Sequence, residues 1–427
     1  MTACTGQRPA TTLALYFASA FLSAAGNSIA AVVWVWLVLD RTGSPAVAAT
    51  VAGIIAAFQL VVSFIGGSVI DRFGRQRICW ISDVVSASSL LWLIAVDHWL
   101  GLTVTWFVVI GIYGAVGDIP GTAARQALAG DCARATGMDV GKISGGLQTA
   151  AGVALLVGPA AGGLLLAAGT TTGALWITCA TSLAAAGVTA ALKLPRKEND
   201  PAHECAARTD MAAVPGSWAG IRGDVRAWQS VWRIPVIKLL VVTQFVSSAL
   251  VVPFLMVLIP AHFAQVSSPL SLGVVLSMYA VGFLAGSVAA TVWSSVSHRL
   301  VWLVCMGLFG LAFVFLGGLS STPLLLAGNL TAGIGGGLLA PMVMVLVTDN
   351  VGEDVRGRAF SLFTAAQSLA QPVGLSVVTP VIATLGIYAT ARGISGVFIV
   401  FGVAASWAGW TLLSRTHPPS PARTDTV

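Results

Sequence analysis

The run Gly66-Gly67-Ser68-Val69-Ile70-Asp71-Arg72-Phe73-Gly74-Arg75-Gln76-Arg77 concentrates charge between two apolar stretches: four of its last seven residues are charged. One acid and three permanent bases at this spacing suit ion pairing or contact with an anionic surface. Asp71 can cap or pair at a helix end, while Gly67 and Gly74 permit close backbone approach and a sharp turn. Long apolar runs flank this charged stretch on both sides, 46–70 and 78–96, so the chain leaves one hydrophobic span here and re-enters the next.

Two further acids sit close to apolar spans, where an uncompensated charge is costly. Asp118 is expected near the end of the fourth span, either receiving Arg75 or Arg125 or serving as an interfacial cap. Asp83, two turns into the third span, is the better candidate for a buried titratable group, as a proton carrier or in a local pair. The neutral side chains Asn27, Trp34, Gln59, Gln148, Gln244, Gln367 and Gln371 are candidate cavity linings, each equally suited to hydrogen bonding between helices. With no fixed arginine among them, such a cavity fits an apolar or amphiphilic small molecule, neutral or weakly cationic. Inside the fifth span, Pro159 removes a backbone donor while Gly152, Gly158, Gly162 and Gly163 remove bulk. That segment reads as a pivot between helix bundles or as a small-residue packing seam. No serine elbow, His-rich metal cluster or paired midplane carboxylate occurs, and no phosphate-binding Gly-x-x-x-x-Gly-Lys-Ser/Thr loop. Enzymatic chemistry, a bound metal and an organic cofactor are accordingly not expected.

The elements that must position these residues follow from composition. The 427 residues are 56% apolar and only 9% charged, with a mean hydropathy of +0.89. Soluble domains carry roughly 25% charged residues, so this is an all-α polytopic membrane protein. Its apolar runs match the roughly 20 residues needed to cross about 30 Å of hydrocarbon. They fall at 13–39, 46–70, 78–96, 101–121, 143–168 and 171–192, then at 235–260, 269–293, 300–318, 323–348, 359–384 and 391–413. The reading is therefore twelve spans in two six-helix bundles, 1–192 and 235–413. Between them, 193–234 forms a cytoplasmic linker, with an interfacial helix or a flexible chain over Trp218 to Trp232. The Pro-, Ser- and Thr-rich tail, 414–427, is expected to be disordered.

With the N-terminus in the cytoplasm, all of the 22 Lys and Arg residues except Arg41 and Arg392 lie on the cytoplasmic side. The positive-inside bias favours that orientation, with both termini cytoplasmic in the inner membrane. The net charge of +6 thus reads as orientation, not nucleic-acid binding. The six cysteines show no paired spacing and read as free thiols. A displacement of 216 residues carries Gly141-Lys142 onto Gly357-Arg358, Ala150 onto Ala366 and Gly158 onto Gly374, and Gly67-Ser68-Val69 recurs as Gly286-Ser287-Val288. These matches suggest duplicated halves.

On these motifs the chain resembles the major facilitator superfamily. Gly67, Asp71, Arg72, Gly74, Arg75 and Arg77 match the signature between that family's second and third spans. The resemblance implies a cytoplasmic latch there, with Asp118 as a candidate partner. Gly158-Pro159-x-x-Gly162-Gly163, with Gly152 ahead of it, resembles the signature of exporters, drug/proton antiporters above all. Pro120, Arg125, Gln126, Ala127, Leu128 and Asp131 resemble the loop after span four in macrolide- and siderophore-type efflux members. The equivalent turn of the second half, Trp293 to Arg299, has no acid, so any latch there is weaker. What the resemblance implies is export by alternating access in exchange for protons; the neutral cavity linings make the solutes small amphiphilic or hydrophobic compounds, and a cavity within one chain suits a monomer. The alternative is a facilitator or importer of a small neutral metabolite.

Overall fold

The structure, a computed structural model, describes residues 8–169, 171–192, 194, 232–293 and 296–413; the side chains at 64–69, 71, 353–355, 357, 358 and 361 also fall outside the description. The expected surface helix at Trp218 to Trp232 lies almost wholly outside these residues, and the tail after 413 lies entirely outside them. Helices run in chain order as α1 (Pro9–Thr42), α2 (Pro45–Phe73), α3 (Arg75–Trp99), α4 (Val104–Thr136), α5 (Val140–Ala167) and α6 (Thr171–Ala191). They continue as α7 (Pro235–Pro253), a π-helical turn (Phe254–Leu258), α8 (Ile259–Gln265), α9 (Pro269–Val292), α10 (His298–Gly317), α11 (Thr322–Asn350) and α12 (Glu353–Leu412). Among the described residues, eleven helical stretches are long and apolar enough to cross a membrane, the α7–α8 run counting as one. At 1.5 Å per residue, even the 20 residues of α10 match the roughly 30 Å hydrocarbon thickness.

Local chemistry explains the boundaries. Ser44 accepts the Val47 N–H at the start of α2, with Pro45 in the first turn. Asp139 accepts the Gly141 and Lys142 N–H groups and starts α5. Gly74, with φ of 87°, closes α2 and opens α3, a left-handed conformation that a side chain would strain. The 60 residues of α12 contain one non-helical residue, Gly386 at φ 75° and ψ 174°, where two helices join across a kink.

Two boundaries depart from expectation. The fourth span was expected to end at 121, with a loop after it. Instead α4 continues to Thr136, where Gly137 stops it. Pro120 is accommodated inside the helix, and the alanine-rich stretch beyond it favours continuation. Cys132, expected in a polar segment, is consequently buried; it is free, as are Cys79, Cys179 and Cys305. The eleventh span likewise starts earlier than expected, at Glu353.

Large apolar side chains such as Val61, Leu164, Val288, Val400 and Trp407 remain more than half exposed on the outside of the array. Lipid, as apolar as these side chains, supplies their solvent. Inside, α1 packs on α4, α5 and α6, and α3 packs on α4 and α6. In the later helices α9 packs on α11, α10 on α11 and α12, and α7 on α12. The closest of these crossings joins Gly282 and Gly286 of α9 to Gly333 and Gly337 of α11. Added Cβ atoms there would lie 2.1 to 2.2 Å from the facing backbone carbonyl oxygens. Small residues four apart let the two backbones touch.

A buried ion pair, two cavities and a glycine seam

The strongest polar cluster is built by α1, α3 and α4. Arg125 donates through Nη2 to both carboxylate oxygens of Asp83, at 3.0 and 2.8 Å. Its Nη1 donates to Ser19 Oγ at 3.1 Å, and Ser23 donates to Asp83 Oδ1 at 2.7 Å. The Tyr16 hydroxyl donates to the Arg125 carbonyl at 2.9 Å. Asp83 is 4% exposed and Arg125 7%, so both charges are removed from solvent. A guanidinium bonded to both carboxylate oxygens, with two added hydroxyl partners, is the arrangement that can sustain such burial. Asp83 thus forms a local pair with Arg125.

Asp118 lies near the middle of α4, which is longer than its apolar run. It makes neither expected arginine pair. Arg125 is engaged by Asp83, and Arg75 donates to Asp131 at 3.1 Å and to the Ala127 carbonyl at 3.4 Å. The Asp118 carboxylate instead accepts from the Ser86 hydroxyl.

Asp118 lines a cavity of about 370 Å³ together with Asn27, Trp34, Gln59, Ser86 and Ser89, and with the apolar side chains of Ile55, Leu90 and Ile110. All belong to α1–α4; Thr178 and Ser182 of α6 complete the wall. A second cavity of about 470 Å³, among α7, α9, α10, α11 and α12, is lined by Gln244, Ser247, Ser248, Tyr279 and Gln367 among apolar and aromatic residues. Its lining holds no charged residue. Five of the seven expected polar linings therefore reach a cavity. Gln148 and Gln371 line neither, and Gln148 is exposed. The acid in the first cavity was missed because the charged residue was assigned to the end of a span drawn too short.

The glycines of α5 mark contacts. A Cβ at Gly158 would meet Ser28 of α1 at 2.2 Å, and one at Gly162 would meet Val32 at 3.3 Å. Gly163 faces α9: its added Cβ would lie 2.6 Å from the Pro269 carbonyl oxygen and 2.9 Å from Gly273 Cα. Reciprocally, a Cβ at Gly273 would lie 2.4 Å from the Pro159 carbonyl oxygen. Gly152 faces Leu284, and the Ser277 hydroxyl donates to the Leu156 carbonyl at 2.7 Å. Through Pro159 the helix is unbroken. Gly158 and Gly162 thus pack among the early helices, while Gly152, Leu156 and Gly163 pack against the later α9.

Of the basic run, Arg72 lies over the Phe73 ring at 5.6 Å and Arg77 is exposed. The side chain of Asp71 lies outside the described residues, as does the setting of Gly67. At the opposite, arginine-poor end, α8 packs on α1. There His262 Nδ1 and the Tyr388 hydroxyl share a hydrogen bond of 3.0 Å. Among the described residues no group of three His, Cys, Asp or Glu side chains is placed to hold a metal ion.

Comparison with known proteins agrees with this architecture. A model of the Major Facilitator Superfamily matches residues 16–267 and 246–426. The Multidrug efflux pump Tap of Mycolicibacterium fortuitum is 28% identical over 400 residues, covering 92% of this chain and 94% of that protein. Its namesake in Mycobacterium tuberculosis (strain ATCC 25618 / H37Rv) is 26% identical over 389 residues, 90% of each chain. In fold, the nucleoside transporter NupG superposes with a TM-score of 0.68 at 14% identity, over 95% of this chain and 98% of that one. The chain belongs to the Major Facilitator Superfamily and is a multi-pass secondary transporter of small solutes, not an enzyme.

Proposed function

We propose that the protein exports small amphiphilic or hydrophobic compounds across the inner membrane by alternating access, in exchange for protons. The observation that carries this reading is the pairing of early and late helices: α5 crosses α9, and α2 crosses α12. Two helix groups meeting along two such seams can rock against each other around a passage. The break at Gly386 divides α12 into two crossings, since 60 helical residues would span about 90 Å at 1.5 Å each. That makes twelve crossings, six on each side of the linker at 193–234. The packing at the two equivalent glycines supports the duplication, because Gly158 meets α1 as Gly374 meets Ala249 of α7. Each half works as a bundle, with both termini in the cytoplasm.

The export direction is supported by the relatives, which are named as multidrug efflux pumps over nine-tenths of the chain. The contacts of Gly163 with Gly273 and of α8 with α1 lie toward the arginine-poor end. By the positive-inside bias that end is external, and the arrangement is a state closed to the outside. Asp71, Arg72, Gly74, Arg75 and Arg77 form the cytoplasmic latch that holds the alternate state, and the seam around Pro159 is the pivot. Asp83, on its arginine partner, and Asp118, in the cavity, are the acids available for proton exchange.

Reconstitution into proteoliposomes with a panel of lipophilic compounds, with and without an imposed pH gradient, tests the proposal. Movement toward the external face, accelerated by the gradient, is expected. Gradient-driven accumulation in the opposite direction, or no flux at all, would refute it.

A further inference from the structure

The cavity of the first helix group combines features that a neutral pocket lacks. Asp118 is a carboxylate near the middle of a membrane-crossing helix, and its side chain accepts from Ser86. Among the described residues no basic group forms a salt bridge with it; the four ion pairs use Asp97, Asp131 twice and Asp83. The arginine nearest to it in sequence, Arg125, is bonded to both carboxylate oxygens of Asp83. The same wall carries the indole of Trp34 and the neutral amides of Asn27 and Gln59. The cavity's volume of about 370 Å³ is in the range of small-ligand sites.

We infer that this cavity is a binding subsite for the cationic head of an amphiphile, with Asp118 as its counter-ion and Trp34 as its aromatic wall. The inference rests on the transport reading above and names the chemical class of solute. An ionised carboxylate in this setting is costly without a partner, and a bound ammonium supplies one. An ammonium also gains charge-assisted hydrogen bonds from the carboxylate and attraction to the indole face. The cavity among the later helices has aromatic walls too, but it offers a cation no carboxylate.

A matched pair of ligands isolates the charge: 6-phenylhexylamine, protonated at neutral pH, and 6-phenylhexanol, which is neutral and of nearly the same shape. Their affinities are measured calorimetrically on the full chain in lipid nanodiscs, with empty nanodiscs subtracted. The amine should bind at least about tenfold more tightly than the alcohol. Asp118→Asn should bring that ratio close to one, and Asp118→Glu should retain most of it. Equal affinities in the parent protein, or a ratio unmoved by Asp118→Asn, overturns the inference.

Carbodiimide labelling of Asp118 in the unsubstituted protein, read by peptide mass, provides a test that needs no variant. Saturating amine should slow it at least about fivefold while the alcohol leaves it unchanged, and equal effects of the two overturn the inference. Transport of neither ligand by a protein that still prefers the amine would count against export alone, leaving the subsite intact.

Discussion

Gly273→Ala should open the external side of the transporter. The added Cβ would lie 2.4 Å from the Pro159 carbonyl oxygen, against an ordinary contact of 3.4 Å or more, so α5 and α9 must part locally by about 1 Å. The obstructing atom is backbone, which cannot rotate away as a side chain could. Overpacking of this kind costs about 1–3 kcal/mol. If the alternate arrangement separates these helices, that cost falls only on the closed form and shifts the balance about 5- to 150-fold. Ala261 in α8, only 1% exposed, provides the reporter as Ala261→Cys in a background without the native cysteines. A membrane-impermeant maleimide added from outside should label it at least about fivefold faster when Gly273→Ala is present, while efflux slows. Gly310→Ala is the control, because a Cβ there meets nothing within 4 Å. Identical labelling and transport in Gly273→Ala and the parent would refute the claim that this crossing closes the external face.

Removing either partner of the Asp83–Arg125 pair should destabilise the fold by about 3–5 kcal/mol, since the survivor is left charged and buried. In thermal unfolding, Asp83→Asn combined with Arg125→Met should recover much of the loss, and simple additivity of the two would argue against a coupled pair. Tyr388→Phe removes a hydrogen bond to His262 within the later helices and should lower stability by about 1 kcal/mol, read by thermal unfolding. Pro159→Ala should slow transport turnover more than it lowers membrane insertion; an unchanged turnover would leave the segment a seam without a pivot. Asp71→Asn should reduce efflux with little effect on folding, and full efflux would remove the latch from the mechanism.

Apolar run length and the placement of arginines made the helices legible, because a bilayer imposes both. What the sequence concealed was where a helix continues after its apolar run ends. The stretch after Pro120 is polar enough to look like a loop, yet α4 carries it to Thr136 because alanines sustain the helix and neighbouring helices bury its polar groups. Three residues were misplaced by that one boundary. Cys132 moved into a core, Arg125 moved from a supposed loop into a buried pair with Asp83, and Asp118 moved from the end of a span to a cavity wall. Charge alone did not reveal which acid would be neutralised, since Asp83 and Asp118 both lie within reach of an arginine in the linear pattern. The register of α3 against α4 decides it, set in part by Ser82, which donates to the Gly117 carbonyl at 2.8 Å. Gly121 faces the same serine so closely that a Cβ there would lie 1.9 Å from its hydroxyl oxygen. A single close crossing thus leaves Arg125 to Asp83 and leaves Asp118 facing the cavity without an arginine. The chemistry of the first cavity follows from helix register, which hydropathy does not encode.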